Sequence, residues 1–151
     1  MELLDGEDAA DRVENLVHFD TQHSNTGIDL TVAAVYRLSG AGQLDFGGGE
    51  FQEASTDRID PRMRDEEDDY GWWELDEGAY IVRYNEGFVP DEGEFGLVRP
   101  LPRLLKAGAS HAPFEVDRET PELTALIEVG PAGVEMKENF RASRLQVYRR
   151  G

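Results

Sequence analysis

Residues 74–98 read ELDEGAYIVRYNEGFVPDEGEFGLV, and this stretch decides the predicted fold. Two short apolar runs, AYIVRY (79–84) and EFGLVR (94–99), lie between turn residues such as Asp, Gly, Asn and Pro. Apolar runs of about four to eight residues bounded by such residues are typical of β-strands. The stretch therefore predicts β-strands joined by short turns.

The same pattern of short apolar runs between turn residues continues towards the end of the chain. Four further runs have this character: HAPFEV (111–116), LTALIEV (123–129), GVEM (133–136) and SRLQVYR (143–149). Short strands that recur about every 8 to 12 residues are typical of antiparallel barrels and sandwiches. We therefore predict a mostly β protein built as an antiparallel β-barrel or β-sandwich.

One long strand and two short helices complete the predicted fold. Residues 5–17 carry apolar side chains at helical spacing behind an acidic first turn, which predicts an N-terminal helix. NTGIDLTVAAVYRL (25–38) is β-rich, and PRLLKAG (102–108) predicts a short internal helix that begins at proline and ends at glycine. The acidic stretch 60–73 lacks the spacing of a calcium loop and is predicted to be a solvated loop.

Size and composition bound the class of protein. The chain has 151 residues, of which 39% are hydrophobic, so we predict a single domain over residues 1–151. The sequence has no apolar run long enough to cross a membrane, and its N-terminus lacks the pattern of a secretion signal, so we expect a cytoplasmic protein. Cysteine is absent and the three histidines show no metal-ligand spacing, so no metal site is predicted.

The charge of the chain is strongly negative. It carries 32 acidic and 15 basic residues, a formal net charge of -17, which disfavours binding to nucleic acid or to an anionic membrane. Only Lys106 and Lys137 are lysines, and the acids are spread along the whole chain. We interpret this as adaptation to a salt-rich cytosol, where ions screen the repulsion. The alternative is an ordinary acidic protein.

Three segments resemble the motifs of one enzyme family. They are NTGIDLTV (25–32), the stretch 74–98, and GVEMKENFRASRLQVY (133–148). In this order and spacing they resemble the dCTP deaminases and the related trimeric dUTPases. The resemblance implies a distorted dUTPase-like β-barrel, the β-clip, in a homotrimer that binds dCTP or dUTP at subunit interfaces. The alternative is a jelly-roll or cupin-like domain without a nucleotide site.

The resemblance also implies a catalytic carboxylate. In the deaminases a carboxylate polarises the water that attacks C4 of cytosine, and Glu128 matches that position. Within the apolar run LIEV, Glu128 points either to the solvent face by simple alternation or into a partly desolvated place that raises its pKa. Asp117 matches the aspartate under the sugar, but DRETPEL replaces the glycine-containing turn that usually follows.

The matching phosphate motif is altered in this chain. The family pattern Arg-Ser-Ser-Leu-x-Arg corresponds to a segment without serines, in which Arg103 and Lys106 keep positive charge near a helix start. In the last motif Arg141 matches the family's arginine, and Arg144 replaces the glutamine that helps to bind the nucleotide. Asn139 takes the place of a turn glycine, which is acceptable because Asn tolerates positive φ.

The resemblance implies a role in pyrimidine deoxynucleotide metabolism. If the protein is active, Glu128 favours deamination of dCTP to dUTP without a cofactor, whereas dUTP hydrolysis would use Mg²⁺. The missing serines weaken the case for activity, and the sequence stops at Gly151 before the glycine-rich arm that family members close over the triphosphate. The alternative is a catalytically inactive trimeric homologue, a nucleotide-sensing or protein-binding module.

Overall fold

The computed structural model describes every residue from Met1 to Gly151 as fourteen strands and three short helices. The strands are β1 (Glu2–Leu3), β2 (Val13–Glu14), β3 (His23–Ser24), β4 (Gly27–Gly40), β5 (Ser55–Ile59), β6 (Trp72–Leu75), β7 (Gly78–Tyr84), β8 (Gly87–Phe88), β9 (Glu94–Pro100), β10 (Ala109–Ser110), β11 (Phe114–Val116), β12 (Thr124–Val129), β13 (Val134–Lys137) and β14 (Arg141–Arg149). The helices are α1 (Gly6–Ala10), α2 (Phe19–Gln22) and α3 (Pro102–Ala107). The predicted mostly β fold is confirmed.

Ten of the strands form one curled antiparallel sheet, a half-barrel. Its main path runs β10-β12-β7-β4-β14-β9-β11, while β1 pairs with β14 and both β3 and β5 pair with β4. The other strands form two small sheets, β13 with β6 and β2 with β8. The long strands β4 and β14 are neighbours at the centre, so residues far apart in sequence face each other there.

The core lies on the inner face of the sheet and contains 25 buried hydrophobic residues. Strand β12 shows the cause, since its residues alternate strictly between exposed and buried, as expected when successive side chains point to opposite faces. Trp73, Tyr84 and Phe88 are the largest fully buried side chains. Burial of a large apolar side chain contributes about 2 to 3 kcal/mol, so this core holds the sheet in its curled shape.

The N-terminal helix is shorter than predicted. Asp5 caps α1 by accepting a hydrogen bond from the N–H of Asp8 at 2.9 Å, but the helix ends at Ala10. The next residues leave the helix because Val13 pairs with Phe88 of β8 and Asn15 adopts a φ of 63°. Tertiary pairing thus overrides the helical spacing of residues 11–17. The second helix, α2, is not among the sequence predictions.

The internal helix matches its prediction. Helix α3 begins at Pro102, and Gly108 ends it with a φ of 102°, the left-handed conformation that glycine adopts without steric cost. The predicted strand 111–116 is shorter, since only Phe114–Val116 pairs with β9. None of the three helices has the length and apolar character needed to span a bilayer.

Candidate functional site

The candidate site is a cavity beside the start of β14. It has a volume of about 420 Å³, within the range of ligand pockets. Helix α3 contributes Arg103 and Leu104, β13 contributes Met136 and Lys137, and β14 contributes Arg141. Three separate parts of the chain therefore meet at one concave surface.

The lining of this cavity is positively charged. Arg103, Lys137 and Arg141 line it together with only one carboxylate, that of Glu135. Three cations against one anion leave a formal surplus of two positive charges, in a chain whose net charge is -17. Such a concentration of one sign attracts ligands of the opposite sign.

Three of these four charged side chains already have partners, and the partner of Arg141 is Asp29, at 3.1 Å. The Lys137 Nζ lies 2.5 Å from the Asp68 Oδ2, and the Glu135 carboxylate accepts a hydrogen bond from Arg64 at 2.7 Å. The hydrogen bond from Lys137 also lowers the pKa of the Asp68 carboxyl. Arg103 takes part in no ion pair, so its guanidinium is free to bind a ligand.

A larger cavity of about 680 Å³ lies beside β5 and the loop that precedes it. Its lining carries Arg83 against Glu53 and Glu122, so its formal charge is negative. This cavity is therefore a poorer match for an anionic ligand than the cavity beside β14, although it is larger.

A buried carboxylate lies near the cavity and binds two arginines. The Oδ1 of Asp29 accepts from the Nε of Arg144 at 3.0 Å, and its Oδ2 accepts from the Nη1 of Arg141 at 3.1 Å. The Asp29 side chain is 6% exposed, while those of Arg141 and Arg144 are 29% and 33% exposed. One carboxylate therefore holds two guanidinium groups at the surface.

A β-bulge brings both arginines to the same side of the sheet. Residues three positions apart in a regular strand point to opposite faces. In β14, however, the pairing with β4 shifts between Arg141 and Ser143. Ala142 and Ser143 are both buried, whereas Arg141 and Arg144 are both partly exposed. The extra residue of the bulge restores a common orientation for the two arginines.

The bulge is held from the core side by Ser143. Its Oγ lies 2.6 Å from the Tyr84 hydroxyl and 2.8 Å from the Nε2 of His111. The Nδ1 of His111 lies 2.8 Å from the Ala112 carbonyl, so Nδ1 carries the proton and Ser143 donates to Nε2. Burial lowers the pKa of His111 and raises the pKa of Tyr84. Both groups are therefore neutral near pH 7.

Glu86 is the fully buried carboxylate beneath this region. It accepts hydrogen bonds from the backbone N–H of Thr31 at 2.8 Å, from the Thr31 hydroxyl and from the Gln22 amide at 2.9 Å. Burial raises the pKa of Glu86, and these donors oppose that rise. Gln22 also donates to the Asp29 carbonyl at 2.8 Å, so the network fixes the backbone of β4 beside the arginine pair.

The structure separates the sequence-predicted residues into two groups. Arg103 and Arg141 line the cavity, and Arg144 is joined to Arg141 through Asp29. Lys106 lies in the last turn of α3, is exposed and does not line the cavity.

The predicted carboxylates lie elsewhere on the chain. Glu128 is on the outward face of β12, exposed and without a hydrogen-bond partner. It lines a shallow surface with Ser110 and Glu77. Asp117 is also exposed and pairs with Arg118 at 3.1 Å. Within a single chain, neither carboxylate lines the cationic cavity.

The sequence predictions missed two charged residues of this region. Asp29 carried a signal, because it is a charged residue inside the apolar run GIDLTV, where an aspartate is seldom buried without a partner. Lys137 carried no comparable signal, because its position depends on the pairing of β13 with β6.

The residues of the site do not form a binding set for Mg²⁺. The chain has no group of three or more His, Asp or Glu side chains that could hold a metal ion. Magnesium prefers carboxylate oxygens, but both oxygens of Asp29 are engaged by arginines. Repulsion between a dication and two guanidinium groups further disfavours metal there.

Comparison with curated proteins identifies relatives over most of the chain, although no family model matches it. The probable deoxyuridine 5'-triphosphate nucleotidohydrolase of Aeropyrum pernix is 30% identical over 134 residues, which cover 84% of this chain and 79% of the relative. The protein of the same name from Methanosarcina mazei is 28% identical over 138 residues, which cover 90% of this chain and 77% of the relative. The protein of the same name from Archaeoglobus fulgidus is 24% identical over 139 residues, which cover 91% of this chain and 78% of the relative.

A solved structure shares the fold. The crystal structure of 2'-deoxycytidine 5'-triphosphate deaminase from Agrobacterium tumefaciens matches with a TM-score of 0.65 at 14% sequence identity. The match covers 96% of this chain and 47% of the deaminase chain, so this protein spans about half of that chain's length. Together with its curled antiparallel sheet and its relatives, this shows that the chain belongs to the dCTP deaminase and dUTPase superfamily.

Proposed function

We propose that this protein binds a pyrimidine deoxynucleoside triphosphate, dCTP or dUTP, and acts in pyrimidine deoxynucleotide metabolism. The observation that carries the proposal is the group of three cationic side chains in the cavity lining, of which Arg103 has no ion-pair partner, in a chain with a net charge of -17. A triphosphate is the part of such a ligand that requires cations. The names of the curated relatives support dUTP as one ligand.

The proposed site lies between the subunits of a homotrimer. In one chain Glu128 and Asp117 are exposed and lie outside the cavity that Arg103 and Arg141 line. A site shared between subunits would bring the two groups together. Because each subunit is strongly acidic, association should strengthen as salt screens the repulsion. Sedimentation at low and high KCl tests this, and a monomer at every KCl concentration would contradict the trimer.

The proposed reaction is the deamination of dCTP to dUTP. Glu128 takes one proton from water as the water oxygen attacks C4 of cytosine, and it passes this proton to the 4-amino group, which leaves as ammonia. The second water proton ends on N3 of the resulting uracil ring. Glu128 is suited to this role because no hydrogen bond or ion pair occupies its carboxylate. The proposed reaction needs no metal ion.

Replacement of Glu128 tests the reaction. We expect Glu128→Gln to abolish turnover of dCTP while changing the free energy of unfolding by less than about 0.5 kcal/mol, because the side chain is exposed and unpaired. Products are measured as dUTP, dUMP, ammonia and pyrophosphate after incubation of the pure protein with dCTP or dUTP in concentrated KCl. Glu14→Gln is the matched control, since Glu14 is another exposed strand glutamate without a partner. Persistent absence of all four products would refute catalysis.

The second candidate function is that of a catalytically inactive homologue, a trimeric nucleotide-sensing or protein-binding module. It is favoured by the replacement of both phosphate-motif serines, since charged side chains cannot reproduce two hydroxyls at fixed positions. Binding of dCTP or dUTP without any product supports the sensing module. Turnover of either nucleotide refutes it.

A further inference from the structure

The two arginines near the cavity have unused hydrogen-bond donors. Arg144 uses its Nε for Asp29 and makes only a long contact of 3.5 Å from Nη1 to Thr26. Arg141 uses its Nη1 for Asp29 and for the Thr21 carbonyl at 3.4 Å. The Nη2 group of each arginine has no protein acceptor, although a guanidinium has five N–H donors. Both side chains are about a third exposed, so these donors face solvent.

The positions of the two guanidinium groups are fixed by the pairing of β14 with β4 and by the buried residues under the bulge. Arg144 lies directly opposite Asp29 in the pairing of β14 with β4, and the bulge turns Arg141 to the same face. Ser143, inside the bulge, is buried and bonded to both Tyr84 and His111. The arginines therefore do not need to be ordered by the ligand, which lowers the entropic cost of binding.

We infer that Asp29 is a positioning residue that holds Arg141 and Arg144 as a two-arginine clamp for phosphate oxygens. The inference rests on the proposed function, because it specifies how the proposed triphosphate is held. Two guanidinium groups and one carboxylate leave one net positive charge at the clamp. Planar guanidinium groups bind phosphate through paired hydrogen bonds.

The sign of the effect of Asp29→Asn tests the clamp. If Asp29 contributed only its charge, removing a negative group beside an anion site would strengthen anion binding. If Asp29 positions the arginines, the same substitution releases one guanidinium and weakens binding. We expect affinity for inorganic tripolyphosphate and for dCTP to fall about tenfold, the effect of losing one charge-assisted hydrogen bond. Unchanged or tighter binding of both probes would overturn the inference.

One further variant keeps the test decisive if Asp29→Asn fails to fold. Arg144→Lys keeps the charge but removes the planar fork, so we expect weaker tripolyphosphate binding with a native melting temperature. Equal affinity in Arg144→Lys would overturn the clamp. Asp57→Asn is the matched control, because Asp57 is an exposed, unpaired strand aspartate, and its affinity should equal that of the wild type.

The choice of probes separates the clamp from the proposed function. Titration calorimetry in KCl solution is run with tripolyphosphate alone, dCTP and dUTP. Wild-type binding of tripolyphosphate but of neither nucleotide, with weakening in Asp29→Asn, supports the clamp and refutes the proposed function. Binding of the nucleotides without weakening in any clamp variant supports the function and refutes the clamp. No binding of any probe by the wild type refutes both.

Discussion

Two carboxylates of this protein are each held by two arginines, and the two centres differ in what remains exposed. At Glu94, Arg12 donates through Nε at 2.6 Å and through Nη2 at 3.0 Å, and Arg149 donates at 3.1 Å. At Asp29, Arg141 and Arg144 each donate once. In both centres one arginine of β14 lies directly opposite the carboxylate, Arg144 at Asp29 and Arg149 at Glu94.

The Glu94 centre is closed at its carboxylate and at Arg12, although Arg149 is 45% exposed, whereas both arginines of the Asp29 centre are partly exposed. The Glu94 side chain is 1% exposed, that of Arg12 is 14% exposed, and the N–H of Asp91 also donates to the carboxylate at 2.9 Å. Arg12 further pairs with Asp91 at 3.0 Å. Most donors and acceptors there are used within the protein. The same chemical grouping therefore stabilises the fold at one place and leaves donors for a ligand at the other.

The largest expected effect is a loss of stability at the closed centre. Glu94→Gln removes the buried charge partner of Arg12 and leaves it only the exposed Asp91, so we expect the free energy of unfolding to fall by about 4 kcal/mol. Tripolyphosphate affinity should not change. Denaturant unfolding and calorimetry measure the two quantities. The exposed Glu92→Gln is the control, and a stability equal to that control would contradict the assignment of Glu94 as a structural centre.

The free energy of unfolding at acid pH should depend on the same Glu94 centre. The hydrogen bond from Arg12, opposed by partial burial, lowers the pKa of Glu94 from 4.5 to about 2. Because its folded pKa is depressed, Glu94 contributes stability that is fully present above about pH 4.5 and is lost as the pH falls towards 2. This loss amounts to about 3 kcal/mol. Unfolding measured across that window should be less pH-dependent in Glu94→Gln than in the wild type, and parallel curves would exclude this contribution.

A smaller effect is expected from the bulge beside the Asp29 centre. Ser143→Ala removes the buried partner of Tyr84 and His111, which should cost about 2 kcal/mol of stability. The loosened bulge should also weaken tripolyphosphate binding, whereas a purely structural role would leave affinity unchanged. Ser39→Ala, at an exposed position of β4, is the control for both measurements.

Local patterns predicted much of the fold. The alternation of β12, the proline and glycine that bound α3, and the positive φ of Asn139, which is 65°, follow from short-range preferences. The position at which α1 ends, Ala10, did not follow from these short-range preferences. Val13 and Glu14 leave the helix because they pair with Phe88 and Gly87 of β8, and helical spacing contains no information about that distant partner strand.

The candidate site was predicted less completely. Arg141 and Arg144 were identified through motif resemblance, but their meeting at Asp29 was not, because strict alternation would place them on opposite faces. Glu128 shows the opposite case, since alternation alone gives its outward direction. In the proposed trimer Glu128 meets the cationic cavity across a subunit interface, and the alternation within one strand contains no information about such a contact.

The bulge in β14 has a consequence for how this arrangement can be gained or lost in evolution. It consists of one extra residue and depends on chain spacing as much as on any particular side chain. A relative could keep Asp29, Arg141 and Arg144 and still lose the arrangement through a single-residue deletion at Ala142. Insertions and deletions near the start of β14 should therefore separate family branches more sharply than substitutions do.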